Sequence, residues 1–222
     1  MADLSRVRGI FITLEGPDGA GKSTQAHLLA DRIRTTGREV VQTREPGGTA
    51  LGERIRDVLM YAPDGSHDAL SDALLFNAAR ARQVSEVIAP ALDRGAVVVC
   101  DRFSDSTLAY QGYGGGVPQD ELRALKLIAI GDIVPDRTVL VDLPIAAGLK
   151  RRETGSTADL TRFETDVAEH GTTFHERVRD GYRRLAAGEP ERWRVIDGSS
   201  SPEAVAEAVW SAVADLFADW LP

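Results

Sequence analysis

Apolar residues along this chain fall into short dense runs separated by longer stretches in which they recur every three or four positions. The runs lie at Gly9–Gly16, Glu39–Thr43, Ala96–Asp101, Thr138–Leu143 and Trp193–Asp197, each bounded by turn residues, as strands covered on both faces require. Between them the spacing predicts helices over Lys22–Thr36, Leu51–Met60, Ala69–Arg94, Ser104–Gln111, Gln119–Ile130, Ile145–Glu153, Thr165–Ala187 and Pro202–Leu216. Gly37, Gly95, Gly131 and Gly188 stand at helix ends, where glycine accepts the left-handed turn that closes a helix. Strands alternating with helices specify an α/β fold, a parallel sheet of about five strands with helices on both faces. No internal repeat interrupts the pattern. Two segments read as mobile connections or lids: the glycine-dense Gly112–Gly116, and the small, polar Thr154–Thr161 directly after Lys150-Arg151-Arg152.

Composition narrows this to one domain spanning the 222 residues, with a small lid insertion at about 150–164. Apolar content of 43% with 27% charged residues fits a globular protein, and no run reaches the ~18 residues of a membrane helix. The first eight residues lack the apolar stretch of a signal peptide, so the expectation is cytoplasmic residence with no membrane partner. The formal net charge of -8 argues against nucleic acid, which needs cations spread along a face. Cys100 is the single cysteine and sits in an apolar run, reading as a small buried thiol. Of 26 basic residues only Lys22, Lys126 and Lys150 are lysines, so an arginine needs a motif behind it before it counts as functional.

One motif meets that standard at once. Gly16-Pro17-Asp18-Gly19-Ala20-Gly21-Lys22-Ser23 fits G-x-x-x-x-G-K-[ST], after a strand and before a helix, with Thr24 next in the helix. The glycines let backbone N–H groups turn inward around phosphates and the helix aims its positive end at them. Lys22 would neutralise the β- and γ-phosphates of ATP, and the Ser23 hydroxyl would ligate Mg²⁺. The fold class becomes that of a P-loop NTPase, a three-layer sandwich. A GTPase would show a guanine-reading N-K-x-D stretch, and none of the lysines follows an asparagine.

Further motifs follow in order: Thr43-Arg-Glu-Pro-Gly-Gly-Thr49 with Gly52-Glu-Arg-Ile-Arg56, Leu75-Phe-Asn-Ala-Ala-Arg80, and Asp101-Arg-Phe-Ser-Asp-Ser-Thr-Leu-Ala-Tyr-Gln-Gly112. Phe76 and Arg80 are four apart on a helix and share a face, a ring that can stack on a pyrimidine beside a guanidinium that can donate to it. Asp101 and Arg102 close a strand at the carboxyl edge of the sheet, where a carboxylate can serve a magnesium ion and an arginine can clamp a phosphate. Asp18 is unexpected inside a phosphate cradle, and Glu15, just outside the consensus, reads as a turn residue.

From Ile10 to Asp197 this succession resembles the thymidylate kinase family. The resemblance implies transfer of a phosphoryl group from ATP to dTMP, with Mg²⁺, in dTTP synthesis, by a homodimer. It implies that Phe76 stacks on thymine and Arg80 bonds its O4, and that Ser106, Thr107 and Gln111 surround the base and sugar. It places Arg102, with Arg56 and Arg44 nearby, on the acceptor phosphate and Asp18 on the 3′-hydroxyl; beside it, Glu45 reads as a residue that sets Arg44, and Ser23 and Asp101 as the metal residues. Members carry the mobile catalytic arginine either in the cradle or in the lid. Here the cradle position is Gly19, so the lid supplies it: Arg152 first, with Arg151 and Arg162 as the others. For the dimer, the apolar faces of Ala69–Ala91 and Ser104–Gln111 are candidates.

The acceptor chemistry is simple. A phosphate monoester with a second pKa of about 6 is already anionic near pH 7, so its oxygen attacks without a general base. A nucleoside kinase, the nearest rival, would need a carboxylate base and no arginines for an acceptor phosphate. A regulatory P-loop ATPase or GTPase would consume nucleotide without a small acceptor.

Overall fold

The computed structural model describes residues 8–61, 66–153 and 173–220, except for the side chains of 152, 153, 219 and 220. In chain order the elements are β1 (Phe11–Glu15), α1 (Lys22–Arg34), β2 (Val40–Arg44), α2 (Ala50–Tyr61), α3 (Ala69–Gln83), α4 (Ala89–Asp93), β3 (Val97–Asp101), α5 (Ser104–Thr107), α6 (Gln119–Ile130), β4 (Arg137–Asp142), α7 (Ile145–Glu153), α8 (Thr173–Gly188), β5 (Trp193–Asp197) and α9 (Pro202–Val213). The five strands form one parallel sheet in the order β2-β3-β1-β4-β5. Each predicted strand is present.

Side-chain alternation along the strands explains the layering. Ile12 and Leu14 of β1, Val97 and Val99 of β3, and Val139 and Val141 of β4 face one side and pack on Leu29, Ile33, Val205 and Val209 of α1 and α9. Phe11, Val98 and Cys100 face the other side and meet Val84, Ile88 and Phe103, while Leu140 packs with Leu108, Tyr182 and Trp193. Cys100 is fully buried, as its apolar run suggests.

The central strand β1 pairs with β3 through Leu14↔Asp101 and with β4 through Leu14↔Val139. Three strand ends therefore converge at one edge of the sheet, the crevice where the order reverses and ligands of such sheets bind.

Among the described residues helix boundaries fall close to the predicted ones, with two informative differences, while the first part of the predicted helix Thr165–Ala187 lies outside the described residues. The predicted helix Ala69–Arg94 is α3 and α4 joined by a wide turn, Val84–Ile88, in which bonds skip one residue further. Pro90 has no N–H to offer the preceding turn, and the ladder widens just ahead of it. Ser104–Gln111 likewise begins as α5 and continues as a wide turn, Leu108–Gly114. That turn absorbs most of the segment expected to be a mobile loop. A Cβ on Gly114 would overlap Phe174 and Val178 of α8, so glycine is used here to let two helical elements touch. Gly112, Gly114 and Gly115 mark close packing, Gly116 has open space and φ 80°, and the other expected lid, Thr154–Thr161, lies outside the described residues.

Candidate active site

The cradle is a backbone structure. It leaves β1 at Glu15 and delivers Lys22 and Ser23 to the first turn of α1, whose N-cap Gly21 has φ 94°. Gly19 also has positive φ, 75°, and a Cβ there would overlap the carbonyl of Gly148 in α7. Reciprocally, a Cβ on Gly148 would overlap the carbonyl oxygen of Asp18. The cradle thus rests on α7 through two glycines with no room for a side chain at either.

Lys22 is buried, and its Nζ donates to the carbonyl of Pro17 at 2.8 Å, within the loop it closes. Burial first, then the neighbouring Arg102, pushes its pKa down to about 8. Ser23 Oγ donates to Asp101 Oδ2 at 2.5 Å, joining the start of α1 to the end of β3. The other Asp101 oxygen, Oδ1, is buried with no hydrogen-bond partner.

A cavity of about 470 Å³ opens beside the cradle. Its donor side is Asp18, Gly19, Gly21, Lys22, Ser23 and Thr24, while Gly16, Pro17 and Ala20 do not line it. On the acceptor side stand Arg44, Glu45, Arg56, Phe76, Thr107 and Gln111, with Asp101, Arg102 and Ser106 between the two sides. Arg151 also reaches the cavity, and its Nη2 donates to the carbonyl of Ser199 at 3.4 Å. The side chain of Arg152, and all of Arg162, lie outside the described residues. Pro46, Met60 and Tyr110 line the cavity as well, although the sequence did not single them out.

Arg102 is the most heavily bonded of these groups. Its backbone is left-handed, φ 67°, the only non-glycine with positive φ among the described residues. Nη1 donates to Gly16 O at 3.2 Å, Ser106 Oγ at 3.2 Å and Tyr182 Oη at 2.9 Å. Nη2 donates to Asp18 Oδ1 and to Tyr110 Oη at 3.0 Å. Tyr110 in turn donates to Asp18 Oδ2 at 2.8 Å, so Asp18 holds a cation and a phenol at the cradle rim.

Arg80 lies behind the acceptor wall rather than on it, only 1% exposed. Its Nε donates to Glu45 Oε2 at 2.8 Å, Nη1 to Asn77 Oδ1 at 3.0 Å, and Nη2 to Thr107 Oγ1 at 3.0 Å. Burial pushes the Glu45 carboxyl up to about 7, opposed by Arg80. Arg44 does not rest on Glu45 as expected, since that carboxylate is taken by Arg80, and it pairs instead with Glu53 at 2.9 Å, while Arg56 donates to the Pro46 carbonyl at 3.1 Å. Gln83, fully buried, anchors this loop by donating to Thr43 Oγ1 at 2.7 Å and to the Arg44 carbonyl at 2.8 Å.

Four residues escaped the sequence reading. Glu15 is no turn residue: it ends β1, is fully buried, and accepts from Phe103 N at 2.7 Å, Ser106 Oγ at 2.6 Å and Tyr182 Oη at 3.0 Å. Burial, then the Asp105 carboxylate, raises its pKa to about 7. Tyr182 and Gln83 sit at helical positions that look like any core position, and only their long-range partners reveal them. Tyr110 stands one residue before Gln111 inside a recognised stretch, a neighbouring signal that was available.

Known proteins resemble this chain in sequence and in fold. The family model described as thymidylate kinase matches residues 14–209. The thymidylate kinase of Thermomicrobium roseum is 49% identical over 93% of this chain and 95% of its own length. That of Geobacter sulfurreducens is 46% identical over 96% and 99%. The crystal structure of the Ehrlichia chaffeensis thymidylate kinase superposes with a TM-score of 0.74 at 36% identity, covering 93% of this chain and 99% of the other.

Proposed function

The chain belongs to the thymidylate kinase family and phosphorylates dTMP with ATP as donor, and from that premise we propose how its residues divide the work. The observation that carries the proposal is the position of Arg102. It lies between the cradle lysine and the aromatic wall in a single cavity, tied to Asp18 on one side and to Ser106 on the other.

In this reading the phosphates of ATP lie along the backbone N–H groups of Gly16–Thr24 and on Lys22. The dTMP phosphate lies on Arg102, with Arg56 and Arg44 lining the same side. Phe76 stacks on thymine, Thr107 and Gln111 flank base and sugar, and Asp18 accepts from the 3′-hydroxyl. Recognition of O4 falls to Arg80, which requires the base edge to enter between Phe76 and Thr107. Glu45, Asn77 and Thr107 hold that guanidinium in place, so little ordering entropy is spent on binding. Two polyanions are thereby brought into line, and the attacking oxygen needs no base.

Ser23 and Asp101 fit a magnesium ion. They supply two adjacent oxygens and a buried carboxylate oxygen without a partner, and no cluster of three or more metal-binding side chains occurs among the described residues. That suits Mg²⁺, which keeps waters and nucleotide phosphates as its other ligands. When bound, it would screen the charge of the donor phosphates.

The mobile arginine comes from the segment beginning at α7: Arg152 first, with Arg151 and Arg162 as the others. Gly19 supports this, since the position has no space for a side chain. We also propose a cytoplasmic homodimer. No helix of the described residues is long and apolar enough to cross a membrane. Leu70 and Leu74 of α3 and Leu127 and Ile128 of α6 are exposed on two helices that pack on each other, whereas Thr107, Leu108 and Gln111 are buried and offer no such face. Light scattering should give twice the mass of the 23.9 kDa chain.

The deciding experiment offers dTMP, dUMP, UMP, dCMP and dGMP with ATP and Mg²⁺ and scores diphosphate formation. Preference for dTMP is expected. Turnover of another acceptor with none of dTMP would overturn the thymine assignment.

A further inference from the structure

The left-handed backbone of Arg102 is costly for a residue with a Cβ and persists only where neighbours over-determine it. Two consecutive residues of β1 do so. The Arg102 N–H donates to the carbonyl of Leu14 at 2.9 Å, and the N–H of Phe103, the next residue, donates to the carboxylate of Glu15 at 2.7 Å. The turn is gripped on both sides of the strained residue.

The side chain is held by the same carboxylate at one remove. Ser106 Oγ and Tyr182 Oη lie 2.7 Å apart, both within hydrogen-bond distance of Glu15 Oε2, and both accept from Arg102 Nη1. Glu15 and Tyr182 are fully buried and neither lines the cavity. A buried carboxylate costs stability even when tied to two hydroxyls and an amide, and such a satisfied network fixes the groups it joins. Here its output is one guanidinium: Nη1 is fixed from behind, and Nη2 is left toward Asp18 and the cavity.

We propose that Glu15 and Tyr182 are positioning residues for Arg102, holding its backbone turn and its guanidinium in the orientation that receives the acceptor phosphate. This rests on the reading of Arg102 as the phosphate-binding arginine. Neither residue touches substrate. Tyr182 also ties the register of α8 to that arginine, since its ring sits in the cluster with Leu108, Val178 and Leu185.

The test uses the full chain and two probes that differ only in the phosphate, dTMP and thymidine, measured by calorimetry without ATP. Tyr182→Phe keeps the ring and removes one hydroxyl. Glu15→Gln keeps the shape and removes the charge. Each should weaken dTMP about tenfold, the scale of a hydrogen bond to a charged group, and leave thymidine unchanged. In an Arg102→Ala background neither should weaken dTMP further, because the residue they act through is gone. If Glu15→Gln lowers the melting temperature too far to assay, Tyr182→Phe decides alone.

Equal losses for dTMP and thymidine, or a tenfold loss that persists without Arg102, would mean a purely structural role and overturn the proposal. If Arg102→Ala weakens dTMP while the other two variants do not, the positioning claim falls and the phosphate assignment stands. If Arg102→Ala itself leaves dTMP affinity intact, the phosphate assignment falls and takes this proposal with it.

Discussion

The cradle and the acceptor wall face each other across one cavity, yet they are made of different material. The cradle is one stretch, Gly16–Thr24, that in the proposed reading acts through backbone N–H groups and a single cation, Lys22. The wall draws on β2, α2, α3, β3 and α5, and acts through side chains whose partners are distant in sequence, such as Glu45 with Arg80 and Arg102 with Tyr182. A backbone site keeps its shape if its glycines fit. A side-chain site keeps its shape only if each partner stays, so the wall should be the more sensitive to conservative changes outside the cavity.

The largest effect that sharpens this contrast is expected in the cradle. Lys22→Ala removes the cradle side chain proposed to meet phosphate, and turnover should fall by about 10³-fold, as for other preorganised charge stabilisers. Stability should hold or rise, because burial already disfavours the lysine's charge. A large drop in the melting temperature would show that the cradle depends on its side chain for shape.

Next in size is a difference in pH response. Glu45 has a folded pKa of about 7 against 4.5 unfolded, chiefly because it is buried. Its burial cost is fully present above pH 7 and vanishes as pH falls through that window to 4.5, worth on the order of 3 kcal/mol. Lys22, lowered from 10.5 to about 8, behaves in the opposite sense: its cost is present below pH 8 and is relieved as pH rises toward 10.5. Urea midpoints of the protein and of Glu45→Gln between pH 5 and 8 should therefore diverge, the parent gaining stability relative to the variant toward pH 5. Parallel curves would remove Glu45 as the wall's titrating group.

The smallest predicted effect lies where the cradle meets the lid helix. Gly148→Ala places a methyl against the Asp18 carbonyl, so α7 must shift. Turnover should fall about tenfold while dTMP affinity is kept, since α7 carries the proposed catalytic arginines and none of the wall. Loss of dTMP affinity instead would show that Asp18 transmits the shift to the acceptor side.

The strands, the cradle and the order of the acceptor motifs were legible because each is a local pattern: periodicity, a glycine spacing, a strand end. Phe76 and Arg80 were legible as a pair on one helix face, but only the fold shows that Phe76 lines the cavity while Arg80 stands behind it. Gly112, Gly114 and Gly115 misled because composition signals freedom, and the same residue type serves close approach when another helix lies within contact distance.

Sequence alone determined the parallel α/β scaffold, the cradle and the family, because those depend on interactions within a few residues or on alternation that any buried strand must show. The tertiary structure decided why position 19 is glycine and that Glu15 is a buried acceptor behind Arg102. It also decided that Tyr182, 80 residues along the chain, bonds Arg102. Those are meetings between segments. Their energy resides in burial and in the pairing of polar groups across the fold, quantities that no single stretch of sequence contains.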